Sequence, residues 1–546
     1  MNSKKNRKSP KRLSEIVLDQ MKKRMEQRFE NWFQNLTLWE ELNRMKWFQV
    51  VYFVIEDSER FHQELCSISP CITAQIIPQL LEWFCMLAKV YSEKEGRSGT
   101  MAQRHKPVFD HIFEATLQSL LVPALREYDI KAMKTPFGRT LMLQAVGSSV
   151  NLTTLVLPGK PELADPEEIA DKVQFLPMLT RFEYQHACTT QVLVSVGNTC
   201  DRLEELNVRY SRRTTDLCVE SLLKLRNLQT VDVQFTGVSA RGYSKLLQGL
   251  KLTSIVWPYR LDKLLRGVAL AQLEDVTSVA GTFRSINTLF DKCPRVATLT
   301  LHSMRKDISA LGHCTNITAF NLQNCNYNQV GAGCYLQGMG EFLVELRLFK
   351  VTDVHMIDIM TQSGSLKVLE LHSCQFIDST HDLDNEQQLK HFNSLEYLKI
   401  TDCEGTGPFF YHVSNYTSLK FFYVRNEPAL TGVSLFTMIV KGALANLEEF
   451  VAEDCGLRSI DFFIMLTDYC PKIGVIGNLK KTQQITKEDV QRFKDFVKSE
   501  NLDIRVVAQV KHCVRPKMLV YRNHRKPKSR RQRLLLQTAK SSVTAT

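Results

Sequence analysis

One ten-residue pattern constrains the fold of this chain more than anything else in it. In Asn316-Ile-Thr-Ala-Phe-Asn-Leu-Gln-Asn-Cys325, apolar residues occupy the first, fourth and sixth places of a frame that starts at Ile317, and a cysteine closes it. The same frame returns at Leu366, Leu369, Leu371 and Cys374, at Leu395, Leu398, Ile400 and Cys403, and at Leu447, Phe450, Ala452 and Cys455. Copies without the closing cysteine begin at Leu152, Leu203, Leu228, Leu252, Leu273, Val296, Leu343, Leu419 and Ile473, and Leu179, Phe182, Tyr184 and Cys188 form a copy shifted by one residue at its end. Fourteen first positions from 152 to 473 give a mean step of about 25 residues.

This period and spacing define a leucine-rich repeat. Each unit supplies a short strand and a helix or turn, neither of which can bury its apolar face alone, so successive units stack. The fold class expected is α/β, a leucine-rich-repeat solenoid (horseshoe) with an α-helical N-terminal region. Parallel strands ~4.8 Å apart over thirteen steps give an arc on the order of 60 Å, a surface suited to a macromolecule rather than a pocket.

The ends have a different composition. Met1 to Arg12 holds six Lys/Arg and no acid, and Arg515 to Arg533 holds nine and no acid. Removing these from the net charge of +12 leaves −3 for the rest of the chain. The basic character therefore belongs to the tails, and the array itself need not bind nucleic acid. The division expected is a basic arm at 1–12, a helical region at 13–145, the array with its C-terminal cap at 146–510, and a basic tail at 511–546.

In the helical region, apolar residues at helical spacing predict helices over Leu13 to Phe33, Leu36 to Leu65, Ile76 to Tyr91 and Pro107 to Tyr128, with a polar, Gly-containing linker at Ser92 to Thr100. The last of these helices is expected to cover the open end of the array. Cys293-Pro294 and Cys470-Pro471 stand where a helix should end before a new strand. Thr486-Lys-Glu-Asp489 is a capping box opening a helix to Ser499, and Ile504 to Val507 reads as a last strand.

No segment has the ~20 apolar residues of a membrane helix, and the basic start lacks the apolar core of a secretory signal, so an intracellular protein with reduced, buried cysteines is expected. The runs containing Lys526, Lys528, Arg530, Arg531 and Arg533, and Lys4 to Arg12, fit nuclear-localisation signals, for a nuclear and/or cytoplasmic protein. Neither run interleaves aromatic residues, which argues against sequence-specific nucleic-acid recognition.

The chain contains no phosphate-cradling Gly-x-x-x-x-Gly-Lys-Ser/Thr, no His-Glu-x-x-His and no Cys-x-x-Cys. Gly331-Ala-Gly333 lacks the third glycine of a dinucleotide loop, and His62, Cys66 and Cys71 are poorly spaced for zinc. No catalytic residue, metal or cofactor is expected.

Alternation along the strands puts every second residue on the concave face. In the later repeats these are Arg347 and Phe349, Glu370 and His372, Tyr397 and Lys399, and Phe421, Tyr423 and Arg425. Aromatics beside Arg make up the composition of interface hot spots, so a protein partner is expected there. Earlier strands offer Glu205, Asn207, Arg209, Asp232 and Gln234, a mixed polar surface.

The cysteine after the strand, with Cys-Pro or Cys-Asp before the next Leu, resembles the cysteine-containing repeats of F-box/LRR proteins over residues 150 to 480. That resemblance implies a substrate-recognition subunit of a cullin-RING ubiquitin ligase, joined to the cullin through Skp1 or elongin C. Leu38-Trp-Glu-Glu-Leu42 is similar to the start of an F-box, with Trp39 where the box has Pro, and Ser119 to Tyr128 is similar to an elongin-C-binding box, with Pro123 inside it. The alternative is a non-ligase adaptor or scaffold, whose helices only seal the array.

Overall fold

The computed structural model describes residues 13–507 apart from 43–46, 97–112, 123–124, 133–138, 140–142, 144–145, 160–164, 270–271, 285–286, 310, 312–315, 378–393, 413–415, 458 and 478–484. The basic runs at 4–12 and 526–533 lie outside the described residues.

Three long helices open the chain: α1 (Leu13–Leu42), α2 (Trp47–Ser67) and α3 (Pro70–Gly96). α3 carries through Ser92 to Gly96, so the first half of the expected linker is helix instead. Met25, Phe29 and Trp32 recur at helical spacing on α1 and are buried, with the Phe29 ring 5.3 Å from Trp32 and 5.9 Å from Phe84 of α3. Arg28 ties α1 to α2 by reaching Asp57 at 3.3 Å and Glu64 at 3.0 Å. Among the described residues no helix is long and apolar enough to cross a membrane.

Among the described residues, the helix expected over Pro107 to Tyr128 is α4 (113–120), and the chain then enters a strand, β1 (Glu127–Asp129). Leu125, Tyr128 and Ile130 are in fact a repeat frame, since Tyr128 pairs with Leu155 of the next strand. With Leu117 and Leu120 preceding them, these residues fit a helical and a repeat template equally, and pairing to the next unit decides between the two.

From β1 the chain builds a single 16-stranded parallel sheet in sequence order. The strands are β2 (Thr154–Val156), β3 (Arg181–Glu183), β4 (Glu205–Asn207), β5 (Thr230–Asp232), β6 (Ser254–Arg260), β7 (Ser278–Thr282), β8 (Thr298–His302) and β9 (Ala319–Asn326). Then come β10 (Glu345–Thr352), β11 (Val368–His372), β12 (Tyr397–Thr401), β13 (Phe421–Arg425), β14 (Glu449–Glu453), β15 (Val475–Gly477) and β16 (Arg505–Val507). This is a leucine-rich-repeat solenoid. One frame moves: the repeat expected from Leu273 starts at Val276, because Ser254 pairs with Ser278 and Ile255 with Val279. Leu273 belongs to the preceding turn, where it is also buried.

Both C-terminal expectations hold. The Asp461–Tyr469 helix ends on Cys470, and Thr486 caps the Lys487–Ser499 helix while the Asp489 carboxylate accepts from its backbone N–H at 3.1 Å. The buried side chains of the N-terminal helices and of the array form one continuous apolar core, from Leu18 to Ile504.

The end of each strand has a geometry that the sequence pattern does not announce. The residue just before the frame's closing position takes positive φ in ten repeats: His186, Tyr210, Phe235, Ser303, Asn324, Lys350, Ser373, Asp402, Asn426 and Asp454. Its N–H continues the sheet, as in Tyr210 to the Gln234 carbonyl at 2.8 Å, Ser373 to Thr401 at 2.8 Å and Asn426 to Glu453 at 2.8 Å. The left-handed turn then sends the next side chain inward, where Cys325, Cys374 and Cys403 are buried and Cys455 half-buried.

In the repeat of β13 that inward place holds Glu427, fully buried. It accepts from the Cys403 N–H at 2.7 Å and from the Thr406 hydroxyl at 2.7 Å. Burial raises its carboxyl from 4.5 to about 7 despite these two bonds. The protonated acid is therefore the favoured form, and the stability it contributes is lost as pH rises from about 4.5 through about 7. Glu427→Gln should melt with the wild type at pH 5 and be more stable by about 2 kcal/mol at pH 8, measured by thermal melts across that range. Equal pH dependence in the two proteins would rule out this account of Glu427.

Candidate functional site

Parallel pairing without slippage turns separate sequence positions into rows across the open face of the sheet. Arg347, Glu370, Lys399 and Tyr423 are successive Cα partners, and so are Phe349, His372, Thr401 and Arg425. A third row runs through Glu345, Val368, Tyr397 and Phe421. Eight of the nine residues expected on this face, Arg347, Phe349, His372, Tyr397, Lys399, Phe421, Tyr423 and Arg425, are half-buried and share one surface over β10 to β13, while the ninth, Glu370, is buried.

Their neighbours hold them in place. Arg347 reaches Glu345 at 2.8 Å and Glu370 at 3.3 Å. The Phe349 ring stacks on the His372 imidazole, 4.7 Å between centroids, with the Lys350 ammonium 5.5 Å from the Phe349 ring. The Lys399 ammonium lies 5.5 Å from the Tyr423 ring, and the Tyr397 and Phe421 rings are 6.1 Å apart. The surface is a set of ordered aromatic and cationic groups.

Asp402 organises one corner, and the repeat pattern gives no hint of it beyond its place in the left-handed turn. Its carboxylate pairs with Arg425 and lies 3.8 Å from His372 Nδ1, which shares a hydrogen bond with the Thr401 hydroxyl. Burial lowers the His372 pKa, nearby Arg425, Lys399 and Lys350 lower it further, and Asp402 opposes them. The imidazole is therefore neutral at pH 7. Burial lowers the His302 pKa to about 4 on the same face of β8.

The two stretches similar to ligase-binding boxes are placed differently. Ser119 and Leu120 end α4 with both side chains buried, and Tyr128 is buried in β1, so Ser119 to Tyr128 is not one helix. Leu38 to Leu42 forms the last turn of α1, and its side chains lie outside the described residues. His62 Nδ1 donates to the Ser119 carbonyl at 3.0 Å, beside a cavity of about 480 Å³ between α2 and α4. Next to it α2 exposes Tyr52 (70%), Phe53 (44%) and Ile55 (43%), an apolar strip that helical spacing alone would have assigned to the core.

A second aromatic series was missed at the ends of the early strands: His186, Tyr210, Phe235, Tyr259 and Phe283, one in each of five consecutive units, of which the first three hold positive φ. The signal was present as an aromatic seven places after each first apolar residue, but the repeat frame assigns that place no role.

No family model and no curated protein matches this chain. Solved structures that align with it include an internalin from Listeria monocytogenes, at 14% identity over 61% of this chain and 94% of that one, with a TM-score of 0.32. The Rad7 and Elc1 complex in yeast aligns at 13% identity over 92% of this chain and 99% of that one (TM-score 0.33). A leucine-rich-repeat protein of Leptospira interrogans aligns at 11% identity over 72% of this chain and 91% of that one (TM-score 0.28). These values carry no functional inference, and the fold assignment stands on the strand order and the repeat frame.

Asp402→Asn tests the corner directly, since Asn also tolerates positive φ. Removing the charge that opposes burial should lower the His372 pKa further in an NMR titration of the imidazole. An upward shift would show that Asp402 does not act on His372 as described.

Proposed function

We propose that this chain is a non-enzymatic protein-recognition module that captures a partner on the β10 to β13 face. The observation that carries this reading is the joining of Phe349, Tyr397, Phe421 and Tyr423 with Arg347, Lys399 and Arg425 on one ordered surface. Half-buried aromatics and arginines held by neighbours lose little freedom on binding, which is what interface hot spots require.

The finer reading is a substrate-recognition subunit of a cullin-RING ubiquitin ligase. The cysteine-containing repeats support it by resemblance, and the apolar strip Tyr52, Phe53 and Ile55 on α2 offers an adaptor such as Skp1 or elongin C a place to dock. In this role the array only positions a target, and other subunits carry out the ubiquitin chemistry. The alternative, a non-ligase adaptor or scaffold, is favoured by the continuity of the helical core with the array, which suits a structural cap. The basic run Lys526 to Arg533 would take either form to the nucleus.

Affinity capture from the protein's own cells, using the full chain and two variants, separates these readings. Tyr423→Ala with Arg425→Glu should weaken capture of the target about ten-fold and leave any cullin bound. Phe53→Glu should release a cullin and its adaptor and keep the target. Absence of a cullin from the wild-type capture excludes the ligase form. Retention of every partner by the face variant excludes the face.

A further inference from the structure

All sixteen strands run the same way, so their C-terminal ends form one rim, and over β4 to β8 that rim is basic. Arg212 and Arg213 follow β4, Arg241 follows β5, Arg284 follows β7, and Arg305 and Lys306 follow β8. All six are exposed, and none forms a side-chain ion pair or hydrogen bond among the described residues. The acids of the same stretches are engaged. Asp216 accepts from the Ser239 N–H at 2.7 Å and hydroxyl at 2.6 Å, Asp262 is held by Arg260 at 2.5 Å and Arg266 at 3.1 Å, and Asp307 accepts from the Ser309 N–H at 2.7 Å. In a body whose net charge is slightly negative, this is a concentration of unneutralised cations.

Aromatic rings are interleaved with them. His186, Tyr210 and Phe235 stack in parallel, 4.8 Å and 5.2 Å between centroids with ring planes within 11° and 3°. All three hold positive φ, which bulky side chains rarely adopt, whereas Ser303, Asn324, Asp402 and Asn426 at the equivalent later positions are small or polar. Gly159 occupies the equivalent place before His186, and a Cβ there would come within 3.0 Å of the imidazole. In the same series Tyr259 is 61% exposed, with the edge of its ring against Trp257 at 5.8 Å.

We propose that this rim binds single-stranded nucleic acid, with Arg212, Arg213, Arg284 and Arg305 on phosphates and Tyr259 as a stacking platform for a base. Cations alone would suit any polyanion; exposed aromatics set among them favour bases over an acidic peptide. Four strand steps span on the order of 20 Å, enough for about four nucleotides. Backbone contacts and stacking impose no base order, so the binding is not sequence-specific. This site is separate from the β10 to β13 face and does not depend on its function.

The test uses the full chain with a fluorescent oligouridylate, and a 4-thiouridine version for photo-crosslinking. The quadruple variant Arg212→Glu, Arg213→Glu, Arg284→Glu, Arg305→Glu should bind at least about ten-fold more weakly, with the slope of log K against log salt shallower by about 3. Tyr259→Ala should weaken binding about ten-fold with the slope unchanged. Crosslinks should map to peptides around Tyr210 and Tyr259, and both variants should melt with the wild type, since none of these side chains is buried. Crosslinks confined to residues 1–12 and 508–546, with affinity unaltered in the quadruple variant, would overturn the proposal. Tighter binding of an oligo-aspartate peptide that displaces the oligonucleotide and is lost with the same variant would overturn it in favour of an acidic protein partner.

Discussion

The array depends on how its strands stop, and in ten of its repeats they stop in the same way. A backbone N–H at the strand end is held by the carbonyl of the next strand, and the same residue then turns to positive φ. The bond fixes register from one unit to the next, and the turn sends the following side chain into the core. A slip of one residue would exchange the two faces of the strand. Because the register holds, a row such as Arg347, Glu370, Lys399 and Tyr423, drawn from four separate stretches of chain, becomes a surface.

The array was readable because stacking forces the same three apolar places in every unit, and any strand that breaks the pattern exposes or empties part of the core. Readability failed where a local pattern had two meanings. Leu125 and Tyr128 continue a helical spacing as well as they begin a repeat, and Leu273 precedes Val276 by three residues, so both can lead a frame. In each case pairing with the neighbouring strand, a non-local fact, selects the answer. The open-face residues over β10 to β13 were legible for the opposite reason: alternation alone places them, whatever their identity. Their partners were harder. Asp402 acts from a turn rather than a strand, and only the left-handed geometry brings its carboxylate back over the face.

The two halves of the rim treat the same backbone demand differently. In the later repeats, Lys350 apart, Asn, Asp and Ser accept positive φ readily, because short polar side chains bond locally in that conformation. In the earlier repeats His186, Tyr210 and Phe235 meet the same demand with bulky rings, and mutual stacking offsets part of the cost. Strain of this kind persists only where the surroundings over-determine it. The parallel strands supply that constraint, since they fix the ring spacing near the ~4.8 Å of the sheet itself.

Strand length also changes along the sheet, from eight residues in β9 and β10 to three in β1 and β16. An open sheet is vulnerable to edge-on addition of another chain, because its outer strands leave backbone donors and acceptors unused. Here the outermost strands are among the shortest, so among the described residues they present few backbone groups in line with an arriving chain. Short end strands therefore offer fewer backbone groups for edge-on addition than β9 or β10 would in the same place.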